Sequence, residues 1–204
     1  MIKRTTGRLL LTLLVVTGLA GTLNNGAISL KERKRAITLI KSSRIQFFNS
    51  IRGLSAHQLK FKRNPSDPSI NDLVMDMVSF EKKCQDEIKA AMNQSSNPEA
   101  RLQIALTDDQ LLANDSYSLC RKTPGECHNA GFGSADEALR QFNLMRDHQI
   151  RYIRNSTEDL RNHVVKTFAG WIDCYQYYLL VADRSSYVTS LINEIRSAPN
   201  FPKK

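Results

Sequence analysis

Residues 171–196 read WIDCYQYYLLVADRSSYVTSLINEIR, followed by SAPNFP at 197–202. Leu179, Asp183, Tyr187 and Leu191 recur every four residues, which puts them on one face of a helix. Leu180 and Ile195 flank that face, and Tyr175 extends it by a turn. Asp183 therefore stands in an apolar stripe, where an unpaired charge is expensive. The spacing predicts a long final helix, with a carboxylate that needs a partner, a cation or a proton.

The same reasoning places three more long helices. Ser134-Ala135-Asp136-Glu137 is a capping box that opens a helix to about Arg154. Leu139, Phe142, Ile150 and Ile153 point inward there, and Arg146 lies four residues after Phe142 on or beside that face. Ser69 with Asp72 caps an earlier helix whose stripe is Leu73, Met77, Phe80, Cys84 and Ile88. Asp76 shares this stripe, three residues after Leu73 and four before Phe80. Ser29 with Glu32 caps the first helix, read as Leu30 to Arg52, with Ile37, Ile40, Phe47 and Ile51 inward and Gly53 as its stop. Shorter helical patterns are read at 56–59, 99–106, 108–113 and 158–163. Residues 114–133 read as loop, and Phe168-Ala169-Gly170 as a break. No strand and no internal repeat is expected. Four amphipathic helices, with a long crossover loop between the second and third, predict an all-α four-helix bundle.

The chain has 204 residues, 41% of them apolar and 24% charged, as in an ordinary globular domain. Its net charge is +9. From Lys31 to Arg63 there are ten Lys or Arg and one acid, Glu32. Such a tract suits a solvated helix face or weak contact with an anionic membrane surface. It does not alternate cations with aromatics as a base-stacking platform does, so no nucleic acid is expected.

Lys3, Arg4 and Arg8 precede the apolar run Leu9 to Val16 and the small residues around Ala20. Residues 1–20 are therefore expected to be a signal peptide, with an uncleaved membrane anchor as the alternative. Export to a periplasm or to the medium follows, and with it an oxidising compartment. Cys120 and Cys127 flank Thr123-Pro124-Gly125 and are the disulfide candidate. Cys84 and Cys174 fall on helices and read either as a second bridge or as two buried thiols.

Across residues 29–202 the chain resembles the DinB-like superfamily of metal-dependent hydrolases and thiol-dependent transferases. The resembling pieces are Gly53-Leu54-Ser55 with Gln58-Leu59-Lys60-Phe61, then Ser69-Ile70 and Phe132-Gly133-Ser134 with Glu137-Ala138. They continue with the Phe142/Arg146 spacing, Asp159-Leu160-Arg161-Asn162-His163, Tyr175-Gln176 and Ala198-Pro199-Asn200-Phe201-Pro202. The resemblance implies the same bundle fold. It also implies a divalent metal held by three histidines, one on the second helix and two on the last, spaced H-x3-H. The positions that match those ligands are Asp76, Asp183 and Tyr187, so all three histidines are absent. His57, His128, His148 and His163 lie elsewhere in the pattern.

Asp76 and Asp183 are thus picked out twice, by their apolar stripes and by the resemblance. Two close carboxylates in a dry site need help to stay charged. One resolution is a polar cluster in which Arg146 lies between them and Tyr187 donates its hydroxyl. Another is a divalent metal bound by oxygen ligands. A third is that the faces turn enough for one carboxylate to reach water. The reading favours no cofactor and a binding or scaffold protein that takes a small molecule in the cleft. Its alternative is a hydrolase or thiol transferase with atypical ligands. A homodimer is left open.

Overall fold

The computed structural model describes residues 27–113 and 134–203. In chain order its elements are α1 (Leu30–Ile51), α2 (Ala56–Lys60), α3 (Ile70–Met92), a 3-10 turn (Pro98–Gln103), α4 (Asp108–Ala113), α5 (Ala135–Asn155), β1 (Val164–Thr167), β2 (Gly170–Asp173) and α6 (Cys174–Arg196). The expected signal peptide, Cys120 and Cys127 lie outside the described residues.

Local chemistry starts most of these helices. The hydroxyls of Ser29, Ser55 and Ser69 accept from the backbone three residues on, and Glu32, Gln58 and Asp72 reach back to the cap. Asp173 and Gln176 do the same for α6. Each cap satisfies amides that the helix leaves without a partner and contributes about 1 kcal/mol. The final helix therefore starts at Cys174, three residues later than Trp171.

Side-chain bonds between helices give their directions. The Tyr175 hydroxyl donates to the Glu32 carbonyl at 3.0 Å, and Arg196 donates to the Ser50 carbonyl at 2.8 Å, so α1 and α6 run parallel. Arg184 meets Asp76 and the Tyr177 hydroxyl meets Glu87, so α3 is antiparallel to α6. Arg33 reaches the carbonyls of Ile153 and Ser156 while Arg44 bonds Asp147, so α5 is antiparallel to α1. Hence α3 and α5 are parallel. Two consecutive parallel helices need a connection that travels back the length of the bundle, which is the expected crossover over residues 93–134.

The stripes expected to face inward mostly do. Ile40, Phe47 and Ile51 of α1, all five of Leu73, Met77, Phe80, Cys84 and Ile88 of α3, and Phe142, Ile150 and Ile153 of α5 are buried. Ile37 and Leu139 are half-buried at the edges. Cys84 and Cys174 are buried thiols and form no second bridge. No helix among the described residues is long and apolar enough to cross a membrane.

Two expectations fail between α5 and α6. Residues 158–163, read as a helix after Thr157, form a run of bends. Asp159 explains it: its carboxylate accepts from the Asn162 backbone and side chain at 2.9 and 2.8 Å, a local bond that competes with helix. The break at 168–170 is the turn of a β-hairpin, with Val164 paired to Asp173 and Thr167 to Gly170. Asn97 of the crossover holds this hairpin, donating to the Val164 carbonyl at 3.0 Å and accepting its N–H at 2.8 Å. Four-residue strands are too short for their alternation to stand out against the helical patterns.

Gly170 has φ +94°. A Cβ there would meet nothing within 4 Å, so the only cost of adding one is conformational. Gly170→Ala should lower unfolding free energy by about 1–2 kcal/mol in urea titrations, without changing the slope of the transition.

Candidate functional site

The polar interior lies where α3, α5 and α6 meet. Arg146 on α5 and Glu81 on α3 are both wholly buried and form an ion pair, Nε to Oε1 at 2.8 Å. Gln149, one turn on from Arg146, donates to the same carboxylate at 3.0 Å. The guanidinium also crosses to α6, where it donates to the Val181 carbonyl at 3.3 Å and to the Ser185 hydroxyl. Ser185 in turn lies 3.8 Å from the Met77 sulfur. The Phe142 ring sits 4.9 Å from the guanidinium carbon. Burial pushes the Glu81 carboxyl up to about 7, against the pull of Arg146 and Gln149.

Arg146 is thus inward, as its spacing predicts, and its carboxylate is Glu81. Glu81 was not read as a site residue. The signal was present: it lies four residues after Met77 and three before Cys84, on the buried stripe.

Asp76 meets a different cation. Arg184 of α6 donates to Asp76 Oδ2 at 2.6 Å, with side chains 9% and 15% exposed. The Arg184 guanidinium carbon lies 5.4 Å from the Phe80 ring centre and 5.7 Å from that of Tyr187. Asp183 and Tyr187 are half-buried. The stripe Leu179, Asp183, Tyr187 and Leu191 is the margin of the α6 core face; the fully buried face runs through Val181, Ser185, Val188 and Ile192. The N-terminal half of α6 is buried on every side, from Cys174 to Ala182. Apolar residues all round that half hide which stripe faces the centre. Arg184 carries the signal that was missed, since it lies four residues from both Leu180 and Val188.

Asp76, Tyr187 and Arg184 therefore share one locality beside the core, with Asp183 next to Arg184 in sequence. Arg146 lies deeper. Among the described residues no group of three or more His, Cys, Asp or Glu side chains is placed to hold one metal ion.

A third polar cluster closes the end of the bundle where α1 and α6 begin. Arg161 bonds Asp108 at 2.7 Å, Asp173 at 2.9 Å and Glu32. Its guanidinium carbon lies 4.1 Å from the Tyr175 ring centre. Burial opposes ionisation of Glu32, but hydrogen bonds from Ser29 and Arg161 outweigh it and lower its pKa. At Asp173 burial wins over Arg161 and raises the pKa. An open groove of about 620 Å³ beside this cluster is bordered by Arg35, Arg101, Thr107, Asp108 and Gln176. His163 is local structure, its ring nitrogens 2.7 and 3.1 Å from the carbonyls of Asp159 and Gln94.

These helices and their order make the fold an all-α four-helix bundle. It is similar to YfiT from Bacillus subtilis, described as a "probable metal-dependent hydrolase with an unusual four-helix bundle topology". The match has a TM-score of 0.57 and covers 83% of this chain and 89% of that one, at 10% sequence identity. At that identity the likeness is one of fold. No protein-family model and no curated protein matches the sequence.

Arg146→Met should cost about 3–5 kcal/mol, because it leaves Glu81 buried without its cation; calorimetry or urea titration reads the loss. The pH dependence has a fixed sign. The native carboxyl of Glu81 holds its proton to higher pH than the unfolded one, so the native state binds more protons between the two values. Stability from this group is complete below the unfolded value, near 4.5, and declines as pH rises through about 7. Unfolding free energy should therefore fall between about pH 4.5 and 7 and level off above that. In Glu81→Gln that slope should be absent.

Proposed function

We propose that this is an exported protein that binds a small molecule through the locality of Asp76, Arg184 and Tyr187, and that it does so without a divalent metal. The observation that carries the reading is the Arg184 guanidinium on Asp76 at 2.6 Å. Asp76 matches the position of a metal ligand in the resembling family, and here a fixed cation uses its carboxylate. Two unit charges about 4 Å apart interact by about 4 kcal/mol at the effective dielectric near a protein surface, and a divalent ion roughly doubles that. A metal at Asp76 would have to overcome that repulsion or displace Arg184. The three positions, Asp76, Asp183 and Tyr187, do not fit the metal that three histidines would hold.

The remaining chemistry suits recognition. Arg184 supplies a planar donor fork backed by the rings of Phe80 and Tyr187. Tyr187, half-buried, carries a hydroxyl at the edge of the core. Below them the Arg146–Glu81 pair is structural, wholly buried and beyond reach of a solvent-borne substrate. Export is supported by the basic start, apolar run and small residues within 1–20.

A second reading, a metal-dependent hydrolase with oxygen ligands, draws on the fold shared with YfiT. Asp76, Asp183 and Tyr187 are hard ligands that suit magnesium, manganese, calcium or ferric iron. It requires Arg184 to release Asp76 when the ion enters.

Thermal-shift titrations with magnesium, manganese, calcium and zinc separate the two. The wild type should show no shift and no stoichiometric metal by elemental analysis. Asp76→His, Asp183→His and Tyr187→His combined with Arg184→Met should gain a zinc-dependent shift, and the triple substitution with Arg184 retained should gain less. Stoichiometric metal in the wild type would overturn the metal-free reading.

A further inference from the structure

We infer that the outer face formed by α1 and α5 is a docking surface for an anionic lipid bilayer. The two helices are antiparallel, and two bonded contacts set their register. Arg33 reaches the carbonyls of Ile153 and Ser156, and Arg44 pairs with Asp147 at 2.6 Å. That register puts Lys34 level with Arg154, Lys41 with Arg151, and Ile45 with Leu144. All six are exposed. Between Lys34 and Arg52 there is no acid, and between Arg140 and Arg154 the one acid is Asp147, held by Arg44.

Among the described residues none of Lys34, Lys41, Arg151 and Arg154 takes part in an ion pair. Elsewhere on the same helices Arg35 and Arg44 do find carboxylates. Four cations in two level pairs repel, and no ion pair among the described residues offsets them. An external anionic surface does.

The centre of the face points to lipid. Ile45 is 60% exposed and Leu144 62%, two large apolar side chains level with each other, flanked along the helices by Lys41 and Arg151 on one side and by the exposed Arg52 and Arg140 on the other. Cations around an apolar centre suit the boundary between headgroups and acyl chains. A nucleic-acid surface would place stacking rings or base-reading donors there.

The test uses the full chain and sedimenting vesicles of phosphatidylcholine alone or equimolar with phosphatidylglycerol. Wild type should bind the anionic vesicles preferentially, with binding that weakens as salt rises. Each basic residue near such a surface contributes roughly a fivefold factor in partitioning. Lys34→Gln/Lys41→Gln/Arg151→Gln should therefore lower binding on the order of a hundredfold. The matching Glu variant should lower it further, and circular dichroism should show both folded. Ile45→Ser/Leu144→Ser should lower the binding that persists at high salt. Three results would overturn the inference. One is equal binding to neutral and anionic vesicles. Another is a folded Glu or Gln variant that binds like wild type, which would assign the effect to Lys3, Arg4 and Arg8. The last is a duplex DNA or single-stranded RNA oligonucleotide that displaces the protein from anionic vesicles at equal charge concentration.

Discussion

The bundle is organised around a guanidinium in its middle. Arg146 sits wholly out of water, and a charge there is tolerated because both α3 and α6 answer it. Glu81 comes from α3, Gln149 from the same helix as Arg146, and Val181 and Ser185 from α6 across the bundle. These bonds are directional, unlike apolar packing. A one-turn slide of any of the three helices would strand the ion pair, whereas Phe142, Met77 or Val188 would find another apolar contact. The interaction therefore does more to select one register than to add net stability, since desolvation offsets much of its Coulomb gain.

Two further arginines repeat this on either side. Arg161 gathers Glu32, Asp108 and Asp173 at the end where α1 and α6 begin, and so ties the crossover to the bundle. Arg184 joins α6 to Asp76 of α3 at the margin of the core. Each guanidinium also lies over an aromatic ring: Phe142 for Arg146, Tyr175 for Arg161, and Phe80 with Tyr187 for Arg184. Planar, weakly hydrated cations that stack and fork suit such half-apolar places better than ammonium groups. Each of these three polar clusters is thus centred on a guanidinium held by carboxylates.

Topology follows from the same contacts. With α3 and α5 parallel, the chain has to return along the bundle between them, and Asn97 fastens part of that return to the β1–β2 hairpin. The hairpin delivers Asp173 to the start of α6, where one carboxylate caps the helix through Oδ1 and holds Arg161 through Oδ2.

What the sequence determined by itself was local. Capping signals at Ser29, Ser69 and Ser134 marked helix starts because the cap and its partner are three residues apart and need nothing else. The stripe of α3 and the inward position of Arg146 were legible because helical periodicity is also local. Partners were not. Glu81, Arg184 and Asp173 became site residues only when helices far apart in sequence met, 65, 108 and 12 residues from their partners. The rotation of α6 was likewise undecided in sequence, since its first half is apolar on all sides. Tertiary packing chose Val181, Ser185, Val188 and Ile192 for the centre and left Asp183 and Tyr187 at the margin. Which charge answers which is a question of register between helices, and register is settled by packing the whole core at once.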